Sequence, residues 1–218
     1  MIELFGIEIW ITETIVNTWI VMGVLIVLAI VVRLLMAKAD VIPKGFQNVV
    51  EMLVEMFDNF ITNTVGSTLN FIAPWFFTVA AFLVTSALIS ILGFRAPTAD
   101  WTTTFALSVC TFVLMVLLGL KYSGPKAYFQ SLLVPAWPFL PVNIFGEIAK
   151  PISLSFRLFG NMLSGTIIIA MYTSLLPKWA SIGVPVLLYL VFDIFFGLLQ
   201  AYIFVIISLS YIKGAAEN

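Results

Sequence analysis

The sequence predicts an all-α polytopic membrane protein with five transmembrane helices plus one amphipathic surface helix, the last two spans long, tilted and paired as an antiparallel hairpin. Three observations predict it. Of the 218 residues, 62% are hydrophobic and 10% charged, with a mean hydropathy of +1.14, whereas a soluble domain carries about 25% charged residues. Five apolar runs are each long enough to cross about 30 Å of hydrocarbon. One further segment, 43–63, places its acids at helical spacing and reads as a surface helix. Residues 1–218 are expected to form a single membrane domain.

The composition also excludes classes. A net charge of −1 without a basic cluster gives no nucleic-acid partner. The lone Cys110 excludes an internal disulfide and is expected to be a small buried apolar residue. His is absent, which removes the usual neutral-pH proton shuttle and the commonest metal ligand. No metal site or cofactor is expected. Glu3, Glu8 and Glu13 precede any positive charge, unlike the basic start of a secretory leader, so a mature, acidic N-terminus is expected.

In chain order, the first span covers 14–37, with Arg33 near its end able to reach the interface. Lys38, Asp40, Pro43 and Lys44 mark an aqueous turn. The surface helix follows at 43–63, started by Pro43. Glu51, Glu55 and Asp58 lie on one face, meeting either a partner, the membrane surface or water. The second span covers 70–92, and Arg95, Pro97 and Asp100 form the next loop. The third covers 101–120. Three prolines between Leu132 and Pro141 indicate a bend or re-entrant connection. The fourth and fifth spans, 143–175 and 179–212, each exceed 30 residues, while a perpendicular crossing needs about 20. They are therefore tilted or kinked, with Pro151 and Pro185 as kink candidates, and joined at Leu176-Pro177-Lys178. With the N-terminus outside, five lysines (Lys38, Lys44, Lys121, Lys126, Lys213) fall inside against Arg95 and Lys178 outside. The positive-inside bias thus predicts N-out, C-in.

Arg157 is the residue that demands chemistry. A charge at mid-bilayer costs about 2.5–3.5 kcal/mol on insertion scales, so it must be compensated. Ser153, Arg157, Asn161 and Ser164 share one helical face, and such a polar stripe faces protein or water rather than lipid. Lys150 extends it. In the fifth span Asp193, Gly197, Gln200, Phe204 and Ser208 follow the same spacing. Counting from the hairpin turn puts Arg157 level with Gln200, and Asp193 level with Asn161. Two readings remain open here: Arg157 as part of an ion path, or Arg157 paired with Asp193 as a helix lock. Ser153, Ser164 and Thr166 read first as packing or backbone-bonded hydroxyls, and Gly160 and Gly165 as close-packing positions. A secondary transporter would show an internal repeat, and none is evident. An intramembrane enzyme would need a nucleophile–base pair or a metal cluster, and Cys110 has no base.

The run Pro151-Ile152-Ser153-Leu154-Ser155-Phe156-Arg157-Leu158-Phe159-Gly160-Asn161-Met162 resembles the signature of subunit a of the F-type ATP synthase. Leu199-Gln200-Ala201-Tyr202-Ile203-Phe204 resembles its second signature, and Leu140-Pro141-Val142-Asn143 the approach to its fourth span. The resemblance implies an ion-translocating stator of a rotary motor, multi-pass in a bacterial plasma membrane. Its implied partners are a ring of c subunits, the peripheral-stalk b subunits, the remaining synthase subunits and lipid. By that resemblance Arg157 faces the ring carboxylates across two offset half-channels that carry H⁺ or Na⁺. Gln200 shares the arginine's site, while Asn161 and Asp193 line the outer half-channel. The family often holds an acid paired with a histidine or second acid at the two ion-path positions; this chain has Thr166 and Asp193. Glu147, Lys150 and Asn143 are the inner half-channel candidates. No phosphate-binding loop is present, so nucleotide chemistry would belong to partner subunits and the chain would not be catalytic by itself.

Overall fold

The computed structural model describes residues 2–4, 7–9, 12–38, 44–91, 93–133, 137–175 and 184–216. Five of its helical stretches are long and apolar enough to cross a membrane, which makes the chain an all-α polytopic membrane protein. At the N-terminus β1 (Ile2–Leu4) pairs antiparallel with β2 (Ile7–Ile9), Ile2 opposite Ile9. Strands of three residues, not expected from the sequence, leave the fold class unchanged.

α1 (Glu13–Leu35) is the first span, and its outer faces stay apolar and exposed. Only Thr14, Asn17 and Val21 of it are buried. α2 (Phe46–Val65) is the amphipathic helix. Pro43, its expected start, lies outside the described residues, as do Asp40 and the turn at Leu176-Pro177-Lys178. α2 does not hold its acids in water alone, because both carboxylate oxygens of Asp58 accept from Asn70 Nδ2, at 2.9 and 3.0 Å. The same side of α2, at three and seven residues beyond Asp58, buries Ile61 and Val65 in the core. The helix ends at Gly66, where φ is +87° and the N–H donates to the Thr62 carbonyl; a side chain would strain that backbone.

A 3₁₀ turn (Ser67–Ile72) leads into α3 (Ala73–Ile91), the second span. The connection to α4 (Trp101–Tyr122) is exposed at 93–95 and buried at 96–99. Ala96, Thr98 and Ala99 are each less than a tenth exposed, and Ala96 and Ala99 pack on Met162. α4 starts with Asp100 accepting from the Thr102 N–H, a side-chain N-cap. Its buried stripe is Thr104, Ser108, Thr111, Met115 and Leu118. Cys110 falls off that stripe and is exposed, so the expected buried position is corrected: a span's apolarity does not say which face packs.

Ahead of the proline-rich connection lies a short helix not expected from the sequence, α5 (Pro125–Ser131), started by Gly124 at φ +80° and Pro125. α6 (Leu140–Leu175) then runs 36 residues, with Pro151 inside it and Pro141 in its first turn. The fifth span is not one continuous α-helix. α7 (Val184–Tyr189) passes into a π-helical turn (Leu190–Phe195) and then α8 (Phe196–Ala216). The irregularity thus sits at Asp193, some two turns beyond Pro185, because wider turns absorb extra residues.

Two apolar clusters hold the spans together. One joins α2, α3, α4 and α8 through Ile61, Phe76, Met115, Val205, Leu209 and Ile212. The other joins α3, α6 and α8 through Val79, Leu83, Leu154, Leu158, Ala201 and Phe204, and this second cluster sets the depth at which the long helices meet.

Candidate functional site

α6 buries Pro151, Leu154, Ser155, Leu158, Met162, Gly165 and Ile169, a stripe at spacings of three and four. Arg157 lies about 110° round the helix from the middle of that stripe, at roughly 100° per residue. It is half-buried, midway along the helix, and flanked on its own side by the exposed Ser153 and Ser164. Among the described residues it has no hydrogen-bond or ion-pair partner. The Arg157–Asp193 pair that a helix lock requires is therefore not formed. A fixed cation on the outward side of a membrane helix needs protein or water against it from outside the chain.

Leu158 and Ala201 belong to one apolar cluster, which puts their neighbours Arg157 and Gln200 at similar levels on the two long helices. Asn161 and Gln200 line one small cavity of about 20 Å³ with Leu83, Ala87, Thr98, Leu158, Met162 and Gly197. That is room for about one water molecule. Gln200 is buried, and its Nε2 is without a hydrogen-bond partner. Arg157 does not line this cavity; its neighbour Leu158 does.

Asp193 is 3% exposed and sits against Gly165, where an added Cβ would lie 3.7 Å from its Oδ1. The level expected for it is Asn161. The structure places it one turn further along α6, at about the same offset from Pro177 that sets Gln200 level with Arg157, so a symmetric count from the hairpin falls one turn short. Gly165 is a close-packing position, as expected, whereas nothing lies within 4 Å of a Cβ at Gly160. Ser164 and Thr166 donate to the carbonyls of Asn161 and Leu163, which matches the backbone-bonded reading. Thr166 is exposed, its hydroxyl bonded to its own helix backbone rather than to Asp193.

The remaining candidates gather at the other end of α6. Glu147 and Lys150 form an ion pair on one turn, and Glu147 Oε2 is buried without a partner. The Lys150 ammonium lies 5.3 Å from the Tyr211 ring, a cation–π arrangement. Burial, and secondarily the charge of Glu147, push the Tyr128 hydroxyl above its ordinary value of 10.0. Asn143 donates to the Leu132 carbonyl at 2.8 Å and fixes the start of α6.

Sequence reasoning misses a third polar group. Thr98 N–H donates to Ser86 Oγ, Asn17 Nδ2 to the Arg95 carbonyl, and Thr14 Oγ1 to Asp100. A lone Asn in an apolar run is the available signal for it, because a buried amide requires a partner. Among the described residues no cluster of metal-ligating side chains exists.

Five apolar spans, an unpaired mid-helix cation and polar side chains gathered between α6 and α8 define a polytopic membrane protein that handles charge inside the bilayer. The chain belongs to the ATP synthase A chain family, subunit a of the F-type enzyme, whose model matches residues 15–213. It is similar to ATP synthase subunit a 2 of Acaryochloris marina, 33% identical over 94% of this chain and 85% of that one. It is likewise similar to subunit a of Desulfosudis oleivorans, at 32% over 94% and 88%. A third relative, the sodium-ion-specific subunit a of Propionigenium modestum, is 32% identical over 94% of this chain and 74% of that one. Membership makes the chain the ion-translocating membrane subunit of the stator, a component of the complex rather than its catalytic part.

Proposed function

We propose that this chain couples H⁺ or Na⁺ flow to rotation of a c-subunit ring, with Arg157 facing the ring's ion-binding carboxylates. The observation that carries the reading is the half-buried, partnerless Arg157 on the outward side of α6. Arginine stays charged at any accessible pH. A ring carboxylate that has released its ion is stabilised beside it, and a cation cannot easily pass a fixed positive charge. Arg157 thus favours ion release and separates two offset half-channels. The transmembrane field supplies the drive, about 2.3 kcal/mol per charge per 100 mV.

In this reading Gln200 shares the arginine's site, and Asn161 and Asp193 line the half-channel on the α1-start side. The Asn161–Gln200 cavity and the buried Asp193 support those assignments. Glu147 and Lys150, with Asn143, line the half-channel at the other end, while Ser153, Ser164 and Thr166 are lesser members of the polar surface. The N-terminus faces outwards and the C-terminus the cytoplasm of a bacterial cell. Peripheral-stalk b subunits complete the stator.

The test is ATP synthesis by the purified complex in liposomes under imposed H⁺ and Na⁺ gradients, wild type beside Arg157→Ala and Arg157→Lys. One gradient drives the wild type and so names the ion, and both variants lose synthesis. Retained synthesis in either variant removes Arg157 from the mechanism.

A further inference from the structure

We infer that Asn17 and Thr14 of α1 are positioning residues that clamp the 95–100 turn and so hold Thr98 in the cavity shared by Asn161 and Gln200. This inference rests on the proposed reading of that cavity as part of the ion path. α1 gives the bundle very little, since its only buried residues are Thr14, Asn17 and Val21. Two of those three are polar, and each directs a hydrogen bond to the same turn. Asn17, 3% exposed, donates from Nδ2 to the Arg95 carbonyl at 2.8 Å, at the turn's start. Thr14, 4% exposed, donates from Oγ1 to Asp100 Oδ2 at 3.1 Å, at its end. The two bonds bracket residues 96–99.

Simple anchoring of a helix in lipid is done by small or apolar side chains in close contact. Two buried polar groups aimed at both ends of one turn do something more specific, because each is costly unless its partner stays in place. Asp100 is held a second time through Oδ1, which accepts from the Thr102 N–H at 3.0 Å. Between the clamped ends, Thr98 packs against Ser86, its Oγ1 3.3 Å from the Ser86 Oγ, and lines the cavity together with Asn161 and Gln200. Residues 94–96 belong to no helix or strand, so the turn is held by side chains, and α1 supplies one at each end.

The experiment uses the whole complex in inverted membrane vesicles carrying Thr98→Cys in a Cys110→Ser background. The rate at which silver ion modifies the thiol introduced at position 98 reads the position of the turn. Gradient-driven ATP synthesis, measured with Thr98 intact, reads the path. Asn17→Leu is expected to change the modification rate about tenfold and to lower synthesis by a similar factor, the scale of one buried hydrogen bond lost. Asn17→Gln, which keeps the donor, is expected to recover both. Thr14→Val, which releases the Asp100 end while the Thr102 N–H still holds that residue, is expected to change both about threefold, and it carries the same test if Asn17→Leu does not assemble. An unchanged modification rate in the assembled variants overturns the clamp. A changed rate with unchanged synthesis upholds the clamp and removes this cavity from the ion path.

Discussion

The Asp193 carboxylate is seated against a glycine: a Cβ added to Gly165 would lie 3.7 Å from Oδ1 and 3.1 Å from the Cβ of Phe192. The π-helical turn Leu190–Phe195 brings the acid there, and only a residue without a side chain lets α6 approach it so closely. Gly165→Val is therefore expected to displace the π-helical turn and to lower gradient-driven ATP synthesis by about tenfold or more, since a misplacement of about 1 Å can cost two orders of magnitude. Gly23→Ala, on an open face of α1, serves as the comparison and leaves synthesis unchanged. Assembled Gly165→Val complex with wild-type rates would show that the position of Asp193 is immaterial.

Gly197 is tighter still. A Cβ there would come within 2.6 Å of the Ala87 Cβ on α3, a separation real side chains do not adopt. Gly197→Ala is expected to destabilise the chain by about 1–3 kcal/mol, the usual cost of overpacking. The measurement is the melting temperature of the detergent-purified complex. Ala87→Gly in the same chain removes the opposing methyl and is expected to restore most of the loss. A double variant no better than the single one would place the strain elsewhere.

The spans are legible in the sequence because crossing a bilayer is a matter of apolar length. The expected 14–37 and 101–120 lie within two residues of Glu13–Leu35 and Trp101–Tyr122. Facing is not legible, because it depends on which neighbour packs: Cys110 points outward, and the 96–99 turn folds inward although Arg95 and Asp100 flank it. Within the site, Arg157, Asn161, Asp193 and Gln200 stand out as strongly polar side chains in apolar runs. Thr98 does not, since a lone threonine beside a proline reads as loop. The π-helical turn is invisible for another reason, as counting at 3.6 residues per turn assumes the regularity it breaks.

Tyr128 predicts an alkaline limit. Its hydroxyl titrates above 10.0 in the folded chain, chiefly through burial and secondarily through the charge of Glu147. Well below about pH 10 the group is protonated in both the folded and the unfolded chain, so the residue then adds no pH dependence. As the pH rises past that value the unfolded chain releases its proton first, and stability falls. Melting temperatures of the purified complex should therefore drop between about pH 9 and 11, and Tyr128→Phe should flatten part of that drop. An identical slope in the variant would show that Tyr128 stays out of the alkaline transition.

Gln200 separates stability from function most directly. Its Nε2 is buried without a hydrogen-bond partner, and a buried unsatisfied donor costs about 1–3 kcal/mol. Leucine has a similar volume and no donor to leave unsatisfied. Gln200→Leu is accordingly expected to hold or raise the melting temperature of the complex while lowering gradient-driven synthesis. A residue kept only for packing would give the opposite pattern, a less stable complex that turns over normally. If Gln200 instead serves the ion path beside Arg157, its unmet donor is the cost of presenting a polar group to water in the cavity it shares with Asn161. Gln200→Glu then supplies the second half of the argument. On the proposed reading, in which residue 200 shares the site of Arg157, an added carboxylate should capture the guanidinium and compete with the ring, so synthesis falls although polarity is kept. Full synthesis in both variants would mean that neither the donor nor the neutrality of residue 200 matters, and the pairing of Gln200 with Arg157 would have to be abandoned.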